Sequence, residues 1–312
     1  MKIEDRGWKM EDGTRYTTLY LPSSILSIRA RLSTYMSDTD NMLMLTRRLE
    51  ANEIAAWRAI YDAASATLAA QLGFGYAEQG GALLFWNRAA PSPLFNRIVG
   101  LGVFEPATDA LLDALLGRAR AEKSHSLVHV SPAAVPSELG TQLAARGLGT
   151  APPWLIHYRS LEDSLPAVSG PPGYRIERVK PANGAMWGDA LLAAWGFSAR
   201  AAAGALAITL PLVQHANTSC FAAIHESSGM IVGGGMLFIA GGVAGLYADG
   251  VREEHRSHGL QDALIAARLA EARRQGCTLA CSQTLAAHPA QHNMAQAGFQ
   301  IAYTRMNYVV LK

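Results

Sequence analysis

From Val251 the chain reads Arg252-Glu253-Glu254-His255-Arg256-Ser257-His258-Gly259-Leu260-Gln261, and an apolar run opens at Ala263-Leu264. The chemistry such a stretch offers is anion binding, most simply of a phosphate. If a strand ends at Val251 and a helix starts near Leu260, the first N–H groups of that helix have no carbonyl partners, and the positive end of its dipole faces them. Arg256 adds a fixed charge, and Gly259 lets backbone approach a phosphate closely. Counting back in twos from Val251 puts Asp249, Tyr247 and Gly245 on one side of the preceding strand, so a carboxylate and a phenol would stand beside the anion.

Other constellations are poorer. His255-x-x-His258 and His288-x-x-x-His292 could suggest zinc, but no carboxylate-backed His pair or Cys-x-x-Cys accompanies them. A metal hydrolase is therefore the weakest of the readings, and no metal is expected. Cys277 and Cys281 read as small core residues on one face of a strand. There is no Gly-x-Ser-x-Gly nucleophile and no glycine loop followed by a phosphate-binding lysine. Trp57, Trp86, Trp154, Trp187 and Trp195 read as core or cleft residues. Asn217-Thr218-Ser219 matches a glycosylation sequon that a cytoplasmic chain does not use.

The elements that must position the loop can be read from periodicity and breakers. Glu162–Gly173, with its three prolines and two glycines, removes helix and strand options and divides the chain. After it come a strand over Tyr174–Lys180, helices over Met186–Phe197 and Ala205–Ala216, and a strand over Ser219–Glu226. A hairpin turning at Gly241-Gly242 joins runs from Met230 and Val243. Leu260–Arg274 reads as an amphipathic helix with Ala263, Leu264, Ala267, Leu269 and Ala270 near one face. A strand over Cys277–Leu285, a short helix over His288–Ala297 and a closing strand over Phe299–Leu311 complete the half.

The first half repeats this ending. A shift of 151 residues carries Leu111–Ser131 onto Asp262–Ser282, and Gly147-Leu148 onto Gly298-Phe299. A tandem duplication of one α/β unit follows. Under the same shift Glu105, Pro106 and Thr108 stand where Arg256, Ser257 and Gly259 stand. A carboxylate repels phosphate and proline has no N–H to give, so the first copy should not hold the anion.

Arg256-x-x-Gly259 at a strand–turn–helix corner, with the Gly298-Phe299 ending downstream, resembles the diphosphate loop of the GNAT superfamily of N-acetyltransferases, [Q/R]-x-x-G-x-[G/A]. Gln261 departs from the pattern, standing where the family has a small residue. The resemblance implies an α/β fold of two tandem GNAT-like units, each a mixed central β-sheet flanked by helices. Residues 1–41 would be an extension, 42–161 a degenerate unit without the coenzyme A loop, 162–173 a linker and 174–312 the catalytic unit. It also implies that acetyl-CoA is bound by the backbone at Asp249, Gly250 and Val251, by the N–H groups of Arg256, Ser257, His258, Gly259, Leu260 and Gln261, and by Asn293 beside the pantetheine. The amine would attack directly. Met294 takes the place of the family's thiolate-protonating tyrosine. Tyr247, Asp249 and His288 stay open as catalytic candidates, with water as the alternative.

Composition agrees. The chain has 312 residues, 50% hydrophobic and 17% charged, enough for large cores and roughly two domains. With 27 basic against 25 acidic residues and no charge blocks, it lacks the basic stripe of a nucleic-acid binder. Ser227–Ala248 carries no charge, but its glycines read as a hairpin rather than a membrane span. Three cysteines fit a reducing cytoplasm. Residues 1–41 read as a loose arm, as upstream sequence, or as an arm docked through Tyr16, Tyr20, Leu21, Ile25 and Leu26. The function expected is acetyl-CoA-dependent N-acetylation of a small-molecule amine, with no membrane partner and a homodimer left open. A non-catalytic acyl-CoA-binding sensor is the alternative.

Overall fold

The computed structural model describes residues 38–197, 205–206 and 210–310. The arm expected over residues 1–41 therefore lies outside the described residues up to residue 37. Asp38 already opens a long helix, α1 (Asp38–Asp62). The first half continues with α2 (Ala66–Leu72), β1 (Phe74–Gln79), β2 (Ala82–Asn87), β3 (Arg97–Val99), α3 (Asp109–Ala121), β4 (Leu127–Val130), α4 (Leu139–Ala145) and β5 (Leu148–Ser160). The second half has β6 (Tyr174–Arg178), α5 (Gly184–Ala194), β7 (Thr218–His225), β8 (Ile231–Ala240), β9 (Val243–Val251), α6 (Leu260–Arg274), β10 (Leu279–Leu285), α7 (Ala290–Gln296) and β11 (Gln300–Val310).

All strands lie in one eleven-stranded sheet, in the order β1-β2-β3-β4-β11-β5-β10-β9-β8-β7-β6. The expected pair of separate sheets is thus one continuous sheet. The reason is an exchange at its centre: β11 is inserted beside β4, and β5 beside β10, each antiparallel to its new neighbour. The 151-residue shift survives in three dimensions. It carries α4 onto α7 end to end and the start of α3 onto the start of α6. It also pairs Gly147 with Gly298, both left-handed at φ 83° and 79°.

Local chemistry explains the second-half elements. Gly241 and Gly242 have φ of 58° and 71°, the two left-handed residues that a tight hairpin between β8 and β9 requires. The glycines of β8 make room for large side chains from both faces. A Cβ on Gly234 would strike the Trp187 indole, and one on Gly235 would lie 2.7 Å from the Arg268 guanidinium carbon. α6 is less amphipathic than its pattern suggests. Residues Ala263 to Leu269 are all buried, Arg268 among them, while Ala270 is partly exposed. Of the helix expected over Ala205–Ala216, Ala205 and Leu206 are helical and Leu210–Gln214 is a 3-10 turn, with residues 207–209 outside the described set.

Helices α1 and α5 cover one face, packing on Leu83, Phe85, Val99, Met236 and Phe238. α3 and α4 cover the other face in the first half, over Leu84, Ile98 and Val128. α6 and α7 do so in the second, over Leu237, Ala244 and Leu246. Cys277 packs in the α6-side core, whereas Cys281 packs on the α1 side. They do not share a face, because Cys277 precedes the strand. Among the described residues no helix is long and apolar enough to cross a membrane.

Candidate active site

β9 and β10 run parallel, but they pair only over Val243↔Leu279, Ala244↔Ala280 and Gly245↔Cys281. β9 then continues to Val251 and β10 to Leu285. Beyond the last pair the strands part like a fork. Ser282 Oγ donates to the Leu246 carbonyl at 3.1 Å, just past the branch point. From there the β10-facing edge of β9 has no backbone partner among the described residues.

The edge is also bent. Ala248 has φ 48°, and the register between β8 and β9 shifts there. This β-bulge adds one residue, so the expected common face of Asp249, Tyr247 and Gly245 does not exist. Gly245 and Tyr247 face α1, where a Cβ on Gly245 would collide with Asn52 and the Tyr247 ring. Asp249 faces α6. Its Oδ2 accepts from Arg268 Nη2 at 2.8 Å and from Gln261 Nε2 at 2.7 Å. Arg268 is 0% exposed and Asp249 27%. The carboxylate is thereby committed to a charge pair and is no free base. Gln261, the departure from the family pattern, uses its side chain to tie the helix start to β9.

The turn that follows arrives at α6 through two left-handed residues, Ser257 at φ 63° and Gly259 at φ 75°. Gly259 is the N-cap, has no side-chain cap bond, and has nothing within 4 Å of where a Cβ would stand. The first-turn amides of α6 therefore have no protein acceptor supplied by the cap, next to the open end of the fork. The Arg256 side chain does not project as a free charge. Its Nε donates to the Val251 carbonyl at 3.2 Å and its Nη2 to the Ala194 carbonyl at 3.0 Å, clipping the turn to the end of α5. Trp195 Nε1 donates to the Asp249 carbonyl at 2.9 Å, holding the bulge from the same side. His288 is exposed beyond β10, accepting from the Ala290 amide at 3.2 Å, and makes no bond to Tyr247 or Asp249. Asn293 is half-buried on α7.

Sequence reasoning missed what lies on the α1 side of the fork. Asn52, Glu50 and Glu53 of α1 are all buried. Tyr247 Oη donates to Asn52 Oδ1 at 2.8 Å. Glu53 accepts from Arg305 Nη2 at 2.5 Å and Arg97 Nη1 at 3.2 Å, and Glu50 accepts from Tyr303 Oη at 2.7 Å. Burial pushes Glu53 up, but Arg305 and Arg97 outweigh it and hold the carboxyl below its usual range. Burial, reinforced by Glu53, raises Glu50. Burial drops Arg97 to about 10, although Trp57 and Trp154 flank its guanidinium at 4.5 and 4.7 Å. The signal for this cluster was present: Glu50 and Glu53 stand at i,i+3 inside an apolar helix stripe, a place where charge needs a partner.

A fork in the sheet, a left-handed glycine with open space around it and an uncapped helix start are together a cradle fitted to a diphosphate with a chain extending between the strands. Residues 188–299 match the acetyltransferase (GNAT) family. The match covers β7, β8, β9, α6, β10 and α7, the elements that build the cradle. The acyl donor is accordingly acetyl-CoA, and the group transferred is acetyl. Solved structures agree on the fold. A GCN5-related N-acetyltransferase from Kribbella flavida is 17% identical, with TM-score 0.56, over 81% of this chain and 96% of that one. A second from Sphaerobacter thermophilus is 15% identical, with TM-score 0.54, over 75% and 81%. A tandem GNAT protein from the clavulanic acid biosynthesis pathway is 19% identical, with TM-score 0.53, over 73% and 77%. No curated protein matches the chain in sequence.

Proposed function

We propose that this GNAT protein acetylates the amine of a small molecule by direct attack, in a catalytic unit spanning residues 174–312. The unit at 42–161 is a degenerate copy, joined through 162–173 and fused to the catalytic unit by the exchanged strands. The fork between β9 and β10, ending at the uncapped start of α6, is the observation that carries the reading. Bound acetyl-CoA supplies an activated acetyl thioester. The amides from Arg256 to Gln261 hold the diphosphate, with Arg256 fixing the turn rather than meeting the anion. The free edge of β9 at Asp249, Gly250 and Val251 and the side chain of Asn293 line the pantetheine path. A backbone N–H beside the bulge polarises the carbonyl.

Of the three candidates for proton handling, Tyr247 stands at the fork, Asp249 is held by Arg268, and His288 stands apart. With no free carboxylate at the fork, an acceptor amine that is already neutral suits this site. The first unit contributes α1, which walls the α1 side of the fork with Asn52 and Glu53. The sensor alternative draws on one observation, the buried Met294 on α7 where an acid would stand.

The test is thiol release from acetyl-CoA across a panel of small amines. Release above the amine-free background for at least one supports transfer. Tight coenzyme A binding with no amine-dependent release for any would favour the sensor.

A further inference from the structure

Tyr247 is half-buried two residues past the last β9–β10 pair, and the direction of its hydrogen bond can be read from its partner. Asn52 Nδ2 lies 2.9 Å from the Val243 carbonyl and 3.4 Å from the Ala240 carbonyl. Carbonyl oxygens only accept, so the NH2 of the amide must face them and Oδ1 must face Tyr247. Across that 2.8 Å contact the phenol is therefore the donor. Its one hydrogen is committed, and only lone pairs remain to be offered elsewhere. Cys281 Sγ, 3.8 Å from both the phenol and Asn52 Oδ1, adds at most a weak thiol contact.

We propose that Asn52, carried by the first-half helix α1, is a positioning residue that turns the Tyr247 O–H inward, so that the phenol oxygen accepts an N–H of the incoming amine. This rests on the fork being the acyl-donor site. Tyr247 then orients the nucleophile and gives no proton to the leaving sulfur. Burial, with Cys281 and Glu53 nearby, keeps the phenol neutral by raising it well above its ordinary 10, so it is no phenolate base either. In the net reaction the N–C bond forms and the C–S bond breaks. The proton lost from nitrogen reaches the thiolate sulfur through water. The nucleophile class follows: an amine that keeps an N–H to donate while its lone pair attacks, hence primary or secondary, never tertiary.

The approach is also constrained. Next to α1, Leu49, Glu53, Tyr247, Gln283 and Arg305 line a small cavity of about 10 Å³, room for one water at most. Arg305 Nη1 and Gln283 Oε1 are buried there without partners, a donor and an acceptor suited to that one water. That space is too small for the amine, which reaches Tyr247 instead from the end of α5, where Trp195 and Phe197 pack against the same core cluster as Tyr247 and Ala248.

The test uses the full chain, Tyr247→Phe and Asn52→Leu, with hydroxylamine as the smallest N–H nucleophile. Wild type labelled with 13C at tyrosine Cζ should show, beside the protected hydroxyls of the buried Tyr61 and Tyr303, a further exchange-protected hydroxyl proton that is absent in Tyr247→Phe and gives a cross-peak to the Asn52 side-chain amide. Coenzyme A affinity by calorimetry should stay within about twofold in both variants, and KM for hydroxylamine should rise about tenfold in Tyr247→Phe with a smaller change in kcat. Asn52→Leu should lose the protection and raise KM in the same direction. A fall in kcat of about 100-fold with KM unmoved would make Tyr247 a proton donor and overturn the proposal. So would unaltered kinetics, a phenol proton bonded elsewhere, or no thiol release by wild type that binds coenzyme A. Loss of coenzyme A binding by wild type would instead remove the underlying site. The NMR readout needs only wild type and Tyr247→Phe, so it stands if Asn52→Leu fails to fold.

Discussion

The chain has two strand–turn–helix corners 151 residues apart, and only the second is open. In the second half β9 and β10 part after three paired residues, and α6 begins at Gly259 with no side-chain cap. In the first half the corresponding gap between β3 and β4 is laced shut by backbone: the Ala107 amide donates to the Val135 carbonyl at 2.7 Å, and the Val135 amide to the Gly102 carbonyl at 2.9 Å. α3 begins at Thr108, the counterpart of Gly259, and Thr108 Oγ1 itself accepts from the Leu111 amide at 3.2 Å. Asp109 adds a carboxylate to that first turn. At the position matching the bulged Ala248 stands Arg97, its guanidinium flanked by Trp57 and Trp154. A fold does not confer a site. A strand–turn–helix corner can receive an anion where its amides are left unsatisfied, and is ordinary core where side chain and backbone satisfy them.

The largest test of that contrast is Gly259→Val. A β-branched residue at φ 75° is strained by about 1–2 kcal/mol or more, and its methyls would stand where a phosphate must approach. Calorimetry should show coenzyme A affinity falling at least about 100-fold while circular dichroism stays native; retained affinity would separate the turn from binding.

The next test concerns what fastens the halves. His157 on β5 meets Thr284 on β10 at 2.9 Å, and burial lowers the imidazole to about 4. It is neutral in the fold but takes a proton in the unfolded chain below about 6.5. Its contribution is whole above that pH and is lost as pH falls toward 4, amounting to about 3 kcal/mol. Glu53, held low by its arginines, adds loss in the same direction. Denaturant midpoints should drop clearly between pH 7 and pH 4.5; an unchanged midpoint would contradict it.

The smallest effects belong to the closed corner. Thr108→Ala removes a helix cap and should cost about 1 kcal/mol of stability with no change in coenzyme A affinity. Glu105→Gln should change neither, with one coenzyme A bound per chain. Two equivalent sites by titration would erase the contrast.

Much of this was legible in sequence because it depends on local chemistry. The Gly241-Gly242 turn, the start of α6 at Leu260 and the 151-residue shift each follow from a few neighbouring residues. What escaped depends on partners distant in sequence. The bulge at Ala248 leaves no mark in a run of small residues, yet it sends Asp249 to the opposite face from Tyr247. The strand exchange is invisible in periodicity, since β5 and β11 alternate alike whichever neighbour they pair with. Asn52 and Glu53 could not be assigned to the fork, because the strands they serve lie about 190 and 250 positions away. Arg268, a charge in the middle of α6, is buried because Gly235 leaves space for it.

The most direct measurement is a crystal structure of the full chain grown with coenzyme A. Density for the diphosphate should lie on the amides from Ser257 to Gln261, with the pantetheine running between β9 and β10 and nothing at residues 105–111. Diphosphate density at the Thr108 corner, or a coenzyme bound away from both corners, would contradict the account.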